Sequence, residues 1–304
     1  MNRLCARAPG KVNLVLRLGP ARDDGRHRLL TLIESLSLAD TLVLEPAGPR
    51  APGDVVACPG VEGPNLAAAA LASFRAATGW AGGAVRLSID KRVPVAAGMG
   101  GGSGDAAGAL RLAGVAAGLD PERAAAVAAE LAFGLGSDVP SQLRPGLVLA
   151  TGAGERVRSL PPLARHAVLV VPSSEALSSA AVYREADRLG LGRSLEELSR
   201  GEAALRRIVS GAGMPLPLGL LGNDLEPAAQ ALAPSIEPAL LAAREAGAAV
   251  AMVSGSGPTV IGLFPGEDGV AVADRAALAL RGRWPGTVVA EPVEPEFSVV
   301  REAG

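Results

Sequence analysis

Four segments of this sequence carry residue types and spacings suited to chemistry on an anionic ligand. The most distinctive is VPVAAGMGGGSGDAAGAL, residues 93–110. Glycines at 98, 100, 101 and 102 let the backbone curl so that successive N–H groups point into one cavity. Ser103, Gly104 and Asp105 then open a helix, whose positive N-terminus favours an anion. Physically the segment is a phosphate cradle. It is not a P-loop, because G-x-x-x-x-G-K-[ST] occurs nowhere in the chain. It is not a dinucleotide fingerprint either, and Asp105 stands where G-x-S-x-G needs its last glycine. A plain flexible turn is the simpler alternative; Pro94 ahead of the glycines, Ser103 and the immediate helix weigh against it.

The other three segments are shorter. In ARAPGKVNLVL, residues 6–16, Lys11 sits at the start of an apolar alternating run. Asn13, two residues on, points to the same face. In FGLGSDVPSQL, residues 133–143, Asp138 follows a Gly-Ser turn in weakly charged surroundings. In MVSGSGPTVIGLF, residues 252–264, small residues join two apolar strands, as in a hairpin or a second loop admitting a ligand. Together these parts suit phosphoryl transfer, which needs positioning, charge neutralisation and an acceptor for the attacking group's proton. The glycine loop would hold nucleotide phosphates and Asp138 would accept a hydroxyl proton. Lys11 would pair with Asp138 and offset charge on the moving phosphoryl group.

The surrounding pattern supplies elements to position these residues. Alternating apolar residues predict strands at 12–18, 41–45 and 85–89, and further strands at 147–150, 166–171, 249–253, 259–264 and 288–293. Helical spacing predicts 65–77 with Asn65 as its N-cap, then 105–117 and 121–133. More helices follow at 180–189, 194–208, 225–233, 236–246 and 269–281. Strands and helices mix without regular βαβ alternation, which indicates an α+β fold. The Gly/Pro-rich stretch 151–162 is the best boundary, dividing the chain into residues 1–155 and 156–304. His166, at the start of a strand, reads as structural.

Composition narrows the function classes. Of 29 basic residues only Lys11 and Lys91 are lysine, Tyr183 is the one tyrosine, and His27 and His166 are the two histidines. A bias toward GC-rich codons accounts for such scarcity and leaves the exceptions informative. With a net charge of −2 and 2% aromatics, neither an electrostatic grip on nucleic acid nor a base-stacking platform is expected. No apolar run approaches the length of a membrane span, and the N-terminal segment lacks a signal peptide's core. Cys5 and Cys58 form no metal spacing or disulfide framework. The expectation is a cytoplasmic protein, a monomer or homodimer, with no nucleic-acid or membrane partner.

PGKVNLVL at 9–16, PVAAGMGGGSGDAA at 94–107 and SGSGPTVIGLF at 254–264 stand in the order of the three motifs of the GHMP kinase superfamily, which this chain resembles. The resemblance is strongest to the branch acting on a cytidine-diphosphate-linked sugar alcohol. That branch's G-x-R-x-D-G-Y-H-x-L falls on Gly19 to Leu29, its L-G-[AS]-D-V-P on Leu135 to Pro140, and its N-D-L-E on Asn223 to Glu226. The resemblance implies a two-domain fold. Its N-terminal ATP-binding domain would be like the second domain of ribosomal protein S5, and its C-terminal domain ferredoxin-like. It implies transfer of the γ-phosphate of ATP, with Mg²⁺, to the 2-hydroxyl of a methylerythritol moiety on the non-mevalonate route to isoprenoids.

By the same resemblance Lys11 and Asp138 are catalytic, and Asn13 lies near the substrate diol. Pro94, Gly98, Gly100, Gly101, Gly102, Ser103 and Gly104 belong to the triphosphate loop. Asn65, Leu66 and Lys91 lie near the adenosine. His27 reads cytosine, Tyr183 stacks on it, and Ser179 lies close by. Metal ligands are not assigned. Two positions depart from the family pattern. Gly104 replaces a serine, removing a hydroxyl available to phosphate or metal. Arg26 replaces the tyrosine before the histidine, where a guanidinium would stack on the base or pair with the substrate diphosphate. The competing readings are another GHMP kinase, for homoserine or a mevalonate derivative, and a nucleotide-binding relative without catalysis.

Overall fold

A computed structural model describes residues 2–48, 51–173 and 175–303. In chain order its elements begin with β1 (Leu4–Ala21), β2 (His27–Pro46), β3 (Val55–Ala57), α1 (Leu66–Thr78), β4 (Val85–Asp90), α2 (Gly101–Ala116), α3 (Pro121–Leu135), α4 (Val139–Gln142), β5 (Leu147–Gly152) and β6 (Arg156–Leu160). They continue with β7 (His166–Val171), α5 (Ser179–Leu189), α6 (Leu195–Ile208), β8 (Gly222–Asn223), α7 (Glu226–Leu232), α8 (Ile236–Glu245), β9 (Val250–Val253), β10 (Val260–Pro265), α9 (Gly269–Leu280), β11 (Val288–Ala290) and β12 (Arg301–Glu302). The α+β class expected from the sequence is borne out.

The strands form two sheets. The larger runs β12-β1-β2-β4-β3, with β5 on β2, β6 on β5 and β8 parallel to β1. The smaller is antiparallel in the order β11-β7-β10-β9. In chain order these four strands take the spatial order fourth, first, third, second, with α9 returning the chain between β10 and β11. That is the ferredoxin-like arrangement.

Three large apolar clusters, built mostly from Ala, Val and Leu, fill the layers, with a small fourth of Ile33, Val148 and Ala150. One lies between α1–α3 and the larger sheet, around Phe74, Leu71, Leu87 and Leu110. A second packs α5, α7, α8 and α9 on the smaller sheet. The third joins the two sheets: Val12, Leu14, Leu30 and Leu32 meet Val168, Val170, Met252 and Ile261.

The long strand β1 is irregular where it matters. Its pairing with β2 shifts register between Pro9 and Lys11 and again between Asn13 and Val15. Side chains alternate across a strand, so a one-residue slip exchanges its faces. Ala6 and Ala8 therefore face the helices, whereas Val12 and Leu14 face the other sheet. The exchange leaves Lys11 and Asn13, between the two irregularities, free of either core. Bulges of this kind commonly re-aim a side chain beside an active site.

Among the elements that differ from expectation, α2 and β6 have clear physical reasons. Helix α2 starts at Gly101, four residues before the predicted helix. Glycine disfavours helix by about 1 kcal/mol each, but Ala106, Ala109, Leu110 and Ala113 anchor the following turns in the core. Strand β6 lies inside the stretch read as a Gly/Pro-rich connection. It is an edge strand on β5 with Arg156, Val157 and Arg158 all exposed, so no alternation marks it.

Candidate active site

Lys11 is 3% exposed. Its Nζ donates to Asn13 Oδ1 at 2.8 Å and to the Gly98 carbonyl at 2.9 Å, and lies 3.3 Å from Asp138 Oδ2. An ammonium has three donors, and these partners account for all three. Asn13 is itself fixed: its Nδ2 donates to Thr31 Oγ1 at 2.8 Å, and that hydroxyl donates to the Val15 carbonyl at 2.8 Å. The Asn13 oxygen is therefore locked toward the lysine. Asp138, just ahead of α4, keeps 39% of its side chain exposed. The pair thus combines a buried, immobilised cation with a carboxylate open to a ligand.

The glycine loop reaches this pair by close approach. Gly98 and Gly100 have φ of +72° and +66°, in the left-handed region. A Cβ on Gly98 would lie 2.3 Å from the Ser254 carbonyl, and one on Gly100 would lie 2.9 Å from Lys11 Cγ. Gly100 gives α2 no side-chain cap, and no acidic residue occupies the first turn of this 16-residue helix. Its first N–H groups stay available to an anion.

The Ser254–Gly257 turn closes on the loop from the other half of the chain. Ser254 Oγ donates to the Gly98 carbonyl at 3.2 Å. A Cβ at Gly255 would sit 3.1–3.2 Å from Gly98 O, Asn13 Oδ1 and Lys11 Nζ. Asn223 holds this turn. Its Nδ2 donates to Val253 O at 2.9 Å and Gly255 O at 2.6 Å, while its Oδ1 accepts from Leu225 N at 2.9 Å. Glu226 accepts from Val253 N at 2.8 Å, and burial raises its carboxyl pKa. The Asn223–Glu226 motif was visible in sequence; its role as the support of a neighbouring turn was not.

Lys91 lies between two carboxylates, Asp40 and, at 2.8 Å, Asp105. Burial opposes its charge, but the two aspartates outweigh this and raise its pKa. Asp40 also accepts from Arg92 N at 2.5 Å and Val93 N at 2.8 Å. Asn65 caps α1, accepting from Ala67 N at 2.8 Å and Ala68 N at 3.4 Å.

His27 and Tyr183 stack with ring centroids 5.3 Å apart and planes at 27°. His27 Nε2 lies 2.8 Å from Asp187 Oδ1. Burial, aided by Asp138, raises the Tyr183 hydroxyl above its ordinary range. Ser179 Oγ bonds Ser256 Oγ at 2.8 Å, tying α5 to the turn. The Arg26 guanidinium lies 4.3 Å from the centre of the Phe133 ring.

The Lys11–Asp138 pair, the glycine loop, Lys91, Asn65, Ser179 and the His27–Tyr183 stack line one cavity of about 900 Å³. Every residue the sequence put forward for the site lines it except Gly104. A Cβ there would lie 2.9 Å from the Pro9 carbonyl, so position 104 points at β1. The expected loss of a ligand-facing hydroxyl at Gly104 is thereby corrected: a side chain there would meet backbone. Among the described residues no group of three or more His, Cys, Asp or Glu could hold a metal. These residues make no cage for Mg²⁺, which usually keeps waters and substrate phosphates as ligands. No helix among them is long and apolar enough to cross a membrane.

Residues 65–146 match the GHMP kinases N terminal domain and residues 202–282 the GHMP kinases C terminal. Fold and site alike thus define a GHMP kinase. The 4-diphosphocytidyl-2-C-methyl-D-erythritol kinase of Anaeromyxobacter dehalogenans strain 2CP-1 is 44% identical over 294 residues, spanning 93% of this chain and 87% of that protein. A crystal structure of 4-(cytidine 5'-diphospho)-2C-methyl-D-erythritol kinase matches at 32% identity with a TM-score of 0.74, over 95% of this chain and 99% of that one. The chain belongs to the 4-diphosphocytidyl-2-C-methyl-D-erythritol kinase family and is a phosphotransferase. Its likeness to homoserine kinase from Cytophaga hutchinsonii, at 17% identity and a TM-score of 0.61 over 99% and 96% of the two chains, is one of fold alone.

Proposed function

We propose that the enzyme transfers the γ-phosphate of ATP to the 2-hydroxyl of the methylerythritol portion of its cytidine-diphosphate-linked substrate, in the non-mevalonate supply of isoprenoid precursors. Asp138 is the general base and Lys11 its electrostatic partner. The observation that carries this reading is the Lys11–Asp138 pair at 3.3 Å, with its cation buried and its carboxylate open to the cavity.

Asp138 takes the proton as the acceptor oxygen bonds to the γ-phosphorus, and the bond to the β-phosphate oxygen breaks to release ADP. Lys11, held by Asn13 and Gly98, keeps a positive charge fixed where phosphoryl charge develops. Preorganised charge of this kind needs no rearrangement during the reaction. The first N–H groups of α2, with Ser103, form the phosphate cradle. Lys91, Asn65 and Leu66 line the nucleoside end of the site. Tyr183 offers a ring face to the cytosine and His27 a hydrogen-bonding edge, which homoserine or mevalonate would not require. Mg²⁺ arriving with the triphosphate would neutralise phosphate charge.

ADP release with a panel of acceptors tests the assignment. Turnover is expected with the cytidylyl substrate and not with homoserine or mevalonate. Asp138→Ala should lower kcat by about 10²–10⁴ while leaving the melting temperature near that of the wild type. Turnover of homoserine or mevalonate in place of the cytidylyl substrate would overturn the reading, as would an Asp138→Ala enzyme of near wild-type kcat.

A further inference from the structure

We propose that Arg111 is a positioning residue, holding α4 so that Asp138 stands against Lys11. This role rests on the assignment of Asp138 as the general base. Arg111 lies on α2, about 12 Å along the helix axis from Ser103, and does not line the cavity. Its Nη1 donates to the carbonyls of Gln142 at 2.7 Å and Leu143 at 3.2 Å, and its Nη2 to the carbonyl of Arg7 at 3.3 Å. The first two are the last carbonyls of α4. Such carbonyls have no partner inside their helix and favour a cation. The third belongs to β1, four residues before Lys11. One guanidinium thus joins α2, α4 and β1, and with them the phosphate cradle, Asp138 and Lys11.

Stability alone does not account for an arginine at this place. Burial lowers its pKa to about 10, no carboxylate among the described residues pairs with it, and its buried Nε has no partner. A buried cation met only by carbonyls is costly, and a well-packed apolar side chain of similar volume often serves stability as well or better. What the guanidinium provides is a fixed fork of donors that reaches two other segments at once. α4 needs such a hold. It is a single turn of four residues, too short to persist by itself. The Asp138 carboxylate makes no capping bond to it, so the aim of Asp138 follows the placement of the turn. Val139, packed in the core with α1–α3, anchors the start of the turn. Arg111 anchors its end.

Steady-state kinetics of Arg111→Met and Arg111→Lys test this, each made in the wild type and in the Asp138→Ala background, with thermal melts to confirm folding. Methionine keeps an apolar stem and removes the donors. In the wild-type background Arg111→Met should lower kcat about 10- to 100-fold, as a misplacement of order 1 Å does. KM for ATP and for the cytidylyl substrate should stay within about twofold, the split expected when transition-state geometry is lost and binding is not. Arg111→Lys returns a cation to the α4 carbonyls without the fork and should lower kcat less, about severalfold. In the Asp138→Ala background either substitution should change kcat by less than about twofold, because the group being positioned is gone. A merely structural residue would lower both backgrounds alike. Where Arg111→Met does not fold, Arg111→Lys carries the same comparison. A folded Arg111 variant with wild-type kcat, or an equal fall in both backgrounds, would overturn the role of Arg111 alone. An Asp138→Ala enzyme of near wild-type kcat would overturn the base assignment instead.

Discussion

Replacing His166 by leucine should cost stability by an amount the structure sets. His166 and Glu34 are each 2% exposed. His166 Nδ1 lies 2.8 Å from the Ala164 carbonyl and Nε2 lies 2.8 Å from Glu34 Oε2. Both neighbours are acceptors, so both ring nitrogens carry protons and the pair is an imidazolium against a carboxylate. It spans from β7 to β2, and hence from one sheet to the other. Leucine would leave the Glu34 charge buried and unpaired, at a cost of about 3–5 kcal/mol. Unfolding entropy is ~2.1 cal/mol/K per residue, or ~0.6 kcal/mol/K for 304 residues. The melting temperature should therefore fall by about 5–8 °C at pH 6.

The double variant Glu34→Leu/His166→Leu removes both charges and should recover most of the loss. The pH dependence has a definite sign. Burial opposes the imidazolium, but Glu34 outweighs it and raises the His166 pKa. The stabilisation is then complete below the unfolded value near 6.5 and is lost as pH rises through the raised folded value. Differential scanning calorimetry of the wild type and both variants from pH 5.5 to 9 reads all of this. A single variant melting within about 1.5 °C of the wild type at pH 6 would refute the charged-pair reasoning, as would a double variant no more stable than the single.

Two further outcomes are expected. Gly104→Ser places a side chain against the Pro9 carbonyl, so it should destabilise by about 1–3 kcal/mol and leave kcat no higher; raised turnover at an unchanged melting temperature would contradict this geometry. Arg26→Ala removes the guanidinium held over Phe133 and should raise KM for the cytidylyl substrate about fivefold, a loss of ~1 kcal/mol, with KM for ATP unchanged; an unaltered substrate KM would show that position 26 does not face the base.

The candidate site was legible where the sequence is poor in alternatives. Lys11 and Lys91 are the two lysines in a chain of arginines, and Gly98–Gly102 interrupts an alanine-rich run. Asp138 stands alone after a Gly-Ser turn. The proposed recognition of cytosine comes only through family motifs, since nothing in the spacing of His27 and Tyr183 specifies a base. The supports were silent for physical reasons. Thr31 is an ordinary strand threonine until the register shifts in β1 bring Asn13 to it. Asp40 lies within the long strand β2 with no local mark of its three donors. Glu34 and His166 are 132 positions apart and meet only when the sheets dock.

That docking also bears on the Lys11–Asp138 pair. The ammonium of Lys11 takes its acceptors from β1, from Gly98 and from Asp138. The Gly98 carbonyl is shared with Ser254 Oγ, whose turn joins β9 to β10 in the smaller sheet. β7, carrying His166, pairs directly with β10. β2 carries Glu34 and, three residues earlier, the Thr31 that orients Asn13. The contacts that dock the two sheets thus flank, on both sides, the contacts that aim Lys11. No single segment could hold the cation: Asn13 sets its position within the larger sheet, and the turn from the smaller sheet closes the remaining side, leaving Gly255 no room for a Cβ. Separating the sheets would free the Gly98 carbonyl from Ser254 and open that side of the lysine, while Asn13, Gly98 and Asp138 still accept from it. The arrangement around the Lys11–Asp138 pair is in this sense completed at the interface between the two halves of the chain.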